Sequence, residues 1–239
     1  MIQKAIEKIL SLGGTEDQVI NGRTYANGPG GISALKPPKA ETLTINTLTG
    51  IVDFLEGIEP EDHDRMIHVV DHKQVHLIDM DYADAWLTRS IHLTAVHSSP
   101  VFQFGNYYPL EDFMIALQAM FIQDENTAEI LKIIGNLKDE SVKQIADNGI
   151  TQTVTAKVGI TMSENVPLPN PVTLRPFRTF MEIEQPASTF VFRMHSGRGT
   201  GQPPTCALFE SDGRMWSLTA IKSIKAWLAE KIPGVRIIA

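Results

Sequence analysis

The sequence predicts an α+β fold: a mixed or antiparallel sheet with an αα-hairpin and a C-terminal helix packed on it, preceded by an extended N-terminal arm. Three observations lead there. Between Ile150 and Met194, Thr151, Thr153 and Thr155 alternate with Gln152, Val154 and Ala156, and Phe190, Phe192 and Met194 alternate with Val191 and Arg193. A period of two in residues of this type is that of a strand. Pro109 to Phe121 and Asp124 to Gly135 both carry apolar residues at helical spacing, with a short connection between them, as two helices folded back on each other would. Ser217 to Lys231 keeps Leu218, Ile221, Ile224, Trp227, Leu228 and Ile232 in helical period before Pro233-Gly234 stops it. Residues 1–40 read as an N-terminal helix and arm, and 41–239 as a single α+β domain.

Each element has its local reason. Ile2 to Leu12 is amphipathic and ends at Gly13-Gly14, a short helix. In Val19 to Leu35, Asn21-Gly22 signals a hairpin and Asn27 to Gly31 a loop, with Pro37-Pro38 as a stiff connector. Asn46 or Thr47 can cap a helix through Leu48, Ile51, Val52 and Leu55 that stops at Gly57. Met66 to Val70, Val75 to Ile78 and Ile91 to Val96 are strand-like. Pro109 suits a helix start, with Glu111 and Asp112 in the first turn to complement the dipole; Asp124 caps the next helix, which ends near Gly135. Asp147-Asn148-Gly149 turns Ser141 to Ile145 back along Ile150 to Ile160. Pro167, Pro169, Pro171, Pro176 and Pro186 keep the following connection extended, along a surface or an edge. Gly197 to Pro204 is a flexible loop, Thr205 to Glu210 a strand turned by Asp212-Gly213, and Val235 to Ile238 a last strand. The expected sheet contains Ile150–Ile160, Thr189–Met194 and Thr205–Glu210, with the last helix on one face through Leu218, Ile221, Ile224 and Leu228.

Composition narrows the function classes. With 43% hydrophobic and 21% charged residues in 239, the chain can build a core without disulfide or metal staples. A net charge of −7 argues against bulk binding to duplex nucleic acid, which relies on many phosphate contacts. Cys206 is the sole cysteine, so an intrachain disulfide or a cysteine zinc site is out of reach. Met1 opens a charged segment without an apolar leader, and no run approaches the roughly 20 apolar residues of a membrane span. The expectation is a cytoplasmic protein without a membrane partner.

Several phrases are more specific. FMIALQAMFIQ, IIGNLKDESVKQIADNGITQTVTAKVGI, VPLPNPVTLRPFRTFMEIEQPASTFVFRM and CALFESDGRMWSL resemble the YfdQ-like family of uncharacterised phage and prophage proteins, which carry a domain of unknown function. The resemblance runs from Phe104 to Leu228, with a weaker echo at Leu48 to Leu55. It implies a phage or prophage origin in a bacterial host and supplies no catalytic residue.

Three constellations bear chemistry. Arg175, Phe177, Arg178 and Phe180 interleave cations with aromatics, and Arg198 sits among Gly197, Gly199 and Gly201. Together they would make a surface on which bases stack and cations hold phosphate. The opposing reading puts both phenylalanines in the core and pairs both arginines with Glu182 and Glu184. His68, His72 and His76, near His63, Asp62, Asp64, Asp71, Asp79 and Asp81, would share a face and take a transition metal if helical. The β-branched runs around them favour a hairpin instead, with His68 and His76 facing each other and His72 on the turn. Glu182 and Glu184 share a strand face and can serve as acid and base, or as a solvated edge. Cys206 in CALF reads as a small buried residue rather than a nucleophile, and no motif calls for a cofactor.

The leading expectation is a non-enzymatic phage accessory protein that self-associates. Gln18–Ala40 and Asn165–Pro176 are long, proline- and glycine-punctuated, and poor in apolar anchors beyond Val19, Ile20, Tyr25, Ile32 and Leu35; a second subunit would provide contacts. The alternative is a nucleotide- or single-strand-binding protein in phage DNA metabolism or evasion of host defence. A metal-dependent hydrolase on the histidine cluster is a third.

Overall fold

The computed structural model describes residues 4, 17–20, 22–28, 31–35, 40–57, 65–79, 89–138, 142–147, 152–158, 162–195 and 204–239. The fold is α+β, with mixed and antiparallel sheets. The helix expected over Ile2–Leu12 lies outside the described residues except for Lys4.

The N-terminal segment is a meander rather than an extended arm: Asp17–Ile20 (β1), Arg23–Gly28 (β2) and Gly31–Ala34 (β3), all antiparallel. Ile20 pairs with Arg23 across Asn21-Gly22, and Gly22 takes φ +76°, the left-handed backbone that a two-residue hairpin turn needs. Gly28 pairs with Gly31, so the two ends of the glycine cluster expected to be a loop belong to the β2–β3 ladder.

A five-stranded mixed sheet follows, built from Leu43–Ile45 (β4), Arg65–Val69 (β5), Gln74–Asp79 (β6), Ile91–Val96 (β7) and the C-terminal Arg236–Ile238, ordered with that last strand beside β5, then β6, β7 and β4. Strict alternation sends Ile67, Val69, Val75, Leu77, Leu93 and Ala95 to one face, where Thr49–Glu56 (α1) and the C-terminal helix Met215–Lys231 cover them. The C-terminal helix buries Trp216, Ala220, Ile224 and Leu228, while Leu218 is exposed and Ile221 half-buried. The expected stripe through Leu218 and Ile221 is thus rotated. The helix begins at Met215, two residues earlier than its apolar period suggests, and Trp216 enters the interior.

The second core lies under an antiparallel sheet. Tyr108–Pro109 (β8), Val172–Leu174, Ser188–His195 and Thr205–Glu210 are ordered with the 188–195 strand between the 172–174 and 205–210 strands, and β8 at the far edge. Leu110–Met120 (α2) and Glu125–Lys138 (α3) close its inner face with Phe113, Leu117, Ile130 and Ile134 against Phe190, Phe192, Met194 and Leu208. Asp124 Oδ1 accepts from Thr127 N at 3.0 Å, the expected cap, though the helix continues past Gly135 to Lys138.

Val142–Asp147 (β9), Gln152–Val158 (β10) and Met162–Pro167 (β11) form their own antiparallel sheet, with the hairpin after Asp147 as expected. β10 therefore does not join the ladder of the strands at 188–195 and 205–210. A side chain takes the place of a ladder there: Gln152 accepts from Met194 N at 2.9 Å and donates to Met194 O at 3.3 Å. In chain order the remaining strands are β12 (Val172–Leu174), β13 (Ser188–His195), β14 (Thr205–Glu210) and β15 (Arg236–Ile238), and the C-terminal helix is α4.

Candidate functional site

The basic–aromatic segment is where the two cores meet. Phe121 bridges to Pro176, Ile122 N donates to Arg175 O at 2.9 Å and Phe177 N to Met120 O at 2.9 Å. This short ladder against the end of α2 sends successive side chains to opposite sides. Beyond it the chain turns around one buried amide. Gln185 Oε1 accepts from Arg178 N and Thr179 N at 3.1 and 3.3 Å, and Nε2 donates to Thr179 O and Phe180 O at 3.3 and 3.0 Å. Four main-chain groups that a ladder would otherwise satisfy are met by one side chain.

Arg178 is only 2% exposed. Its Nη1 donates to Glu210 Oε1 at 2.6 Å, and its Nη2 to Ser188 Oγ, whose hydroxyl in turn donates to Asp212 Oδ2. The guanidinium carbon stands 3.5 Å from the centre of the Trp216 ring, a desolvated cation–π contact. Burial pulls the guanidinium down to about 10, against the opposing pull of Glu210 and Asp212. His72 packs edge-on to Trp216 at 4.6 Å, and its main-chain oxygen accepts from Thr179 Oγ1 at 2.6 Å. The cluster ties the β5–β6 turn, β13, β14 and the start of α4 to one cation.

The other expected ligand-binding residues are divided. Phe180 is fully buried in the core under the five-stranded sheet. Phe177 is half-buried. Arg175 bonds Asp124 at 3.3 Å and Glu184 at 3.1 Å. Arg198 lies outside the described residues. The continuous basic–aromatic surface expected at 175–180 does not form, because Phe180 and Arg178 turn inward. Of the two acids, Glu184 pairs with Arg175 as the opposing reading had it, but Glu182 does not meet an arginine. Its Oε1 accepts from Leu48 N at 2.6 Å and Thr49 N at 3.1 Å, a carboxylate at the N-terminus of α1 from 134 residues away.

His68 and His76 are directly opposite on β5 and β6, ring centres 6.3 Å apart, and His72 is on the turn between those strands. Gln74 Nε2 stands 2.8 Å from His76 Nε2. Burial lowers the pKa of His72 and of His76, the latter also through His68. Among the described residues no three His, Cys, Asp or Glu are grouped to hold a metal ion. Cys206 is fully buried, and burial pushes its thiol pKa up.

One surface escaped the sequence reading. The outer face of the β12-β13-β14-β8 sheet carries Tyr107, Phe209, Arg193 and His195. Tyr107 stacks on His195 with ring centres 4.0 Å apart and 15° between planes, and Tyr107 Oη lies 3.0 Å from His195 Nε2. Phe209 stands 6.1 Å from Tyr107, edge to face. The alternation that put Phe190, Phe192 and Met194 inward also put Arg193 and His195 outward. Tyr107 had no periodic context to mark it.

Among the described residues no helix is long and apolar enough to cross a membrane. Comparison of the chain with family models, with curated proteins and with solved structures gives no match.

Proposed function

We propose that this chain is a non-enzymatic binding protein that works as a homo-oligomer, with the β1–β3 meander as its principal contact. The supporting observation is the exposure of Val19 (71%), Ile20 (45%), Ile32 (56%) and Leu35 (44%) on a three-stranded sheet. Val19 and Leu35 flank Thr24 on one face, and Ile20 and Ile32 lie on the other. β1 and β3 are the sheet's edges, which invite pairing with a second strand. A three-stranded layer has little interior of its own, so burying these side chains at about 25 cal/mol per Å² favours a second surface. The groups considered for catalysis are already engaged: Glu182 caps α1 and Cys206 is sealed in the core. The resemblance to YfdQ-like proteins supports a phage or prophage accessory role in the cytoplasm of a bacterial host. Light scattering on the full chain and on a variant lacking residues 1–38 tests this. The full chain is expected above monomer mass and the truncated chain, still folded, at monomer mass. A full chain that is monomeric at micromolar concentration refutes it.

A further inference from the structure

We propose that the exposed face of α4 docks on the exposed face of α2 in a second copy of the chain, head to tail. The contact rests on the reading of the chain as a homo-oligomer and is separate from the β1–β3 meander. α4 buries Trp216, Ala220, Ile224 and Leu228. Its opposite side carries Met215, Leu218, Lys222 and Lys225, all exposed, at spacings of three, four and three residues. That spacing keeps them in one stripe along the helix. Met215 is 73% and Leu218 54% exposed, an apolar pair at one end of the stripe with the two lysines at the other. No acidic residue occurs in the sequence from Met215 to Ala229. Among the described residues, the ion pairs do not involve Lys222 or Lys225.

α2 offers the complement. It buries Phe113, Ala116 and Leu117 and exposes Asp112, Ile115 and Ala119, again one stripe. Ile115 is 58% exposed. The order of charged and apolar groups fixes the direction of docking. With the helices antiparallel and Ile115 against Leu218, Asp112 comes level with Lys222 and the small Ala119 with Met215. At a rise of about 1.5 Å per residue, both of these pairs match along the axis to within about 1.5 Å. A parallel arrangement would put Asp112 beside Met215 and leave Lys222 against Ala119. Charge also decides among occupants. Pairing α4 with its own copy brings the lysines against each other or against the apolar pair, and gives neither charge a partner. An anionic membrane attracts two lysines but repels a chain of net charge −7. α2 and α4 pack on different cores and both stripes stay exposed, so the match is left to a second molecule. A contact between two different faces is heterologous and repeats from copy to copy.

Sedimentation velocity of the full chain from micromolar to submillimolar concentration tests the proposal. The lysine double variant Lys222→Glu/Lys225→Glu and the single variant Asp112→Lys each set like charges against each other. Each should weaken this step of assembly by about tenfold or more. Leu218→Ser and Ile115→Ser should weaken it likewise. An equimolar mixture of the lysine double variant with Asp112→Lys should assemble again, because one chain keeps an intact α2 face and the other an intact α4 face. Added salt should weaken the parent's association, since the paired charges are at the surface. Melting temperatures should match the parent's, because all the substituted side chains are exposed. Assembly unchanged in the lysine double variant, or a mixture that associates no more than its components, would overturn the proposal. So would flotation of the parent with phosphatidylglycerol vesicles that is lost in the lysine double variant, which assigns the stripe to a membrane surface. The two contacts fail separately. Assembly that depends on residues 1–38 and ignores the charge reversals leaves only the meander. Assembly that ignores residues 1–38 and responds to the reversals leaves only the α4–α2 contact.

Discussion

Removing Glu210 should harm this protein more than removing the arginine it pairs with. The Arg178 side chain is 2% exposed and the Glu210 side chain 26%. In Glu210→Ala the guanidinium remains buried against Trp216 without its carboxylate. Leaving one member of a buried pair uncompensated typically costs about 3–5 kcal/mol. In Arg178→Met the stem volume is largely retained, the positive charge is gone, and Glu210 turns toward nearby water. The loss is then mainly that of the hydrogen bonds to Glu210 and Ser188, offset by an apolar side chain in an aromatic setting, and about 2 kcal/mol is expected. In a chain of this length 1 kcal/mol shifts the midpoint by about 2–4 °C. Glu210→Ala should therefore melt about 10 °C below the parent, and Arg178→Met about half as far below. The double variant should lie near Arg178→Met alone, since no buried cation remains to be neutralised. Thermal melts by circular dichroism, supported by urea midpoints, read all three. Additive single losses, or a larger loss for Arg178→Met, would refute the reasoning.

Two further outcomes follow from buried polar groups. His97 is 8% exposed, its Nε2 is buried without a hydrogen-bond partner, and burial, then Lys73, lower its pKa from 6.5 against the opposing pull of Glu182. The unfolded chain then binds more protons than the folded one below the unfolded value, so stability is present above 6.5 and is lost as pH falls through the folded pKa. His97→Phe should flatten the decline in melting temperature between about pH 7 and pH 5; a decline as steep as the parent's would show that His97 does not titrate on unfolding. Glu182→Ala leaves Leu48 N and Thr49 N without their acceptor and should cost about 1–2 kcal/mol, with faster amide exchange at both residues. Glu182→Gln, which keeps an acceptor oxygen but not the charge beside the helix dipole, should fall between. Unchanged exchange in Glu182→Ala would remove the capping role.

Features set by neighbouring residues were readable. Asn21-Gly22 turns a hairpin because glycine accepts φ +76°, and Asp124 caps α3 because its carboxylate reaches the amide three residues on. His68 and His76 face each other because antiparallel strands around a short turn leave no other register. The small meander was less legible. Gly28 pairs with Gly31 at the end of the β2–β3 ladder, but the proline that follows Gly28 in sequence reads as readily as a loop. The α4 stripe was misjudged because Trp216 lies in what reads as the turn before the helix, and its burial draws the helix start and the facing side around to it.

The candidate site divides along the same line. Sequence by itself marked Arg175, Phe177, Arg178 and Phe180 as an unusual cluster, determined the α+β class, and set which strand residues share a face, since periods of 2 and 3.6 residues belong to the local backbone. Tertiary structure alone decided what each side chain does. It turned Arg178 onto Trp216 and Glu210, sent Glu182 to a helix end 134 residues away, and brought Tyr107 onto His195 across 88 residues. Burial and charge pairing depend on distances through space, and the spacing of residues along a chain fixes those distances only within a turn or a ladder step.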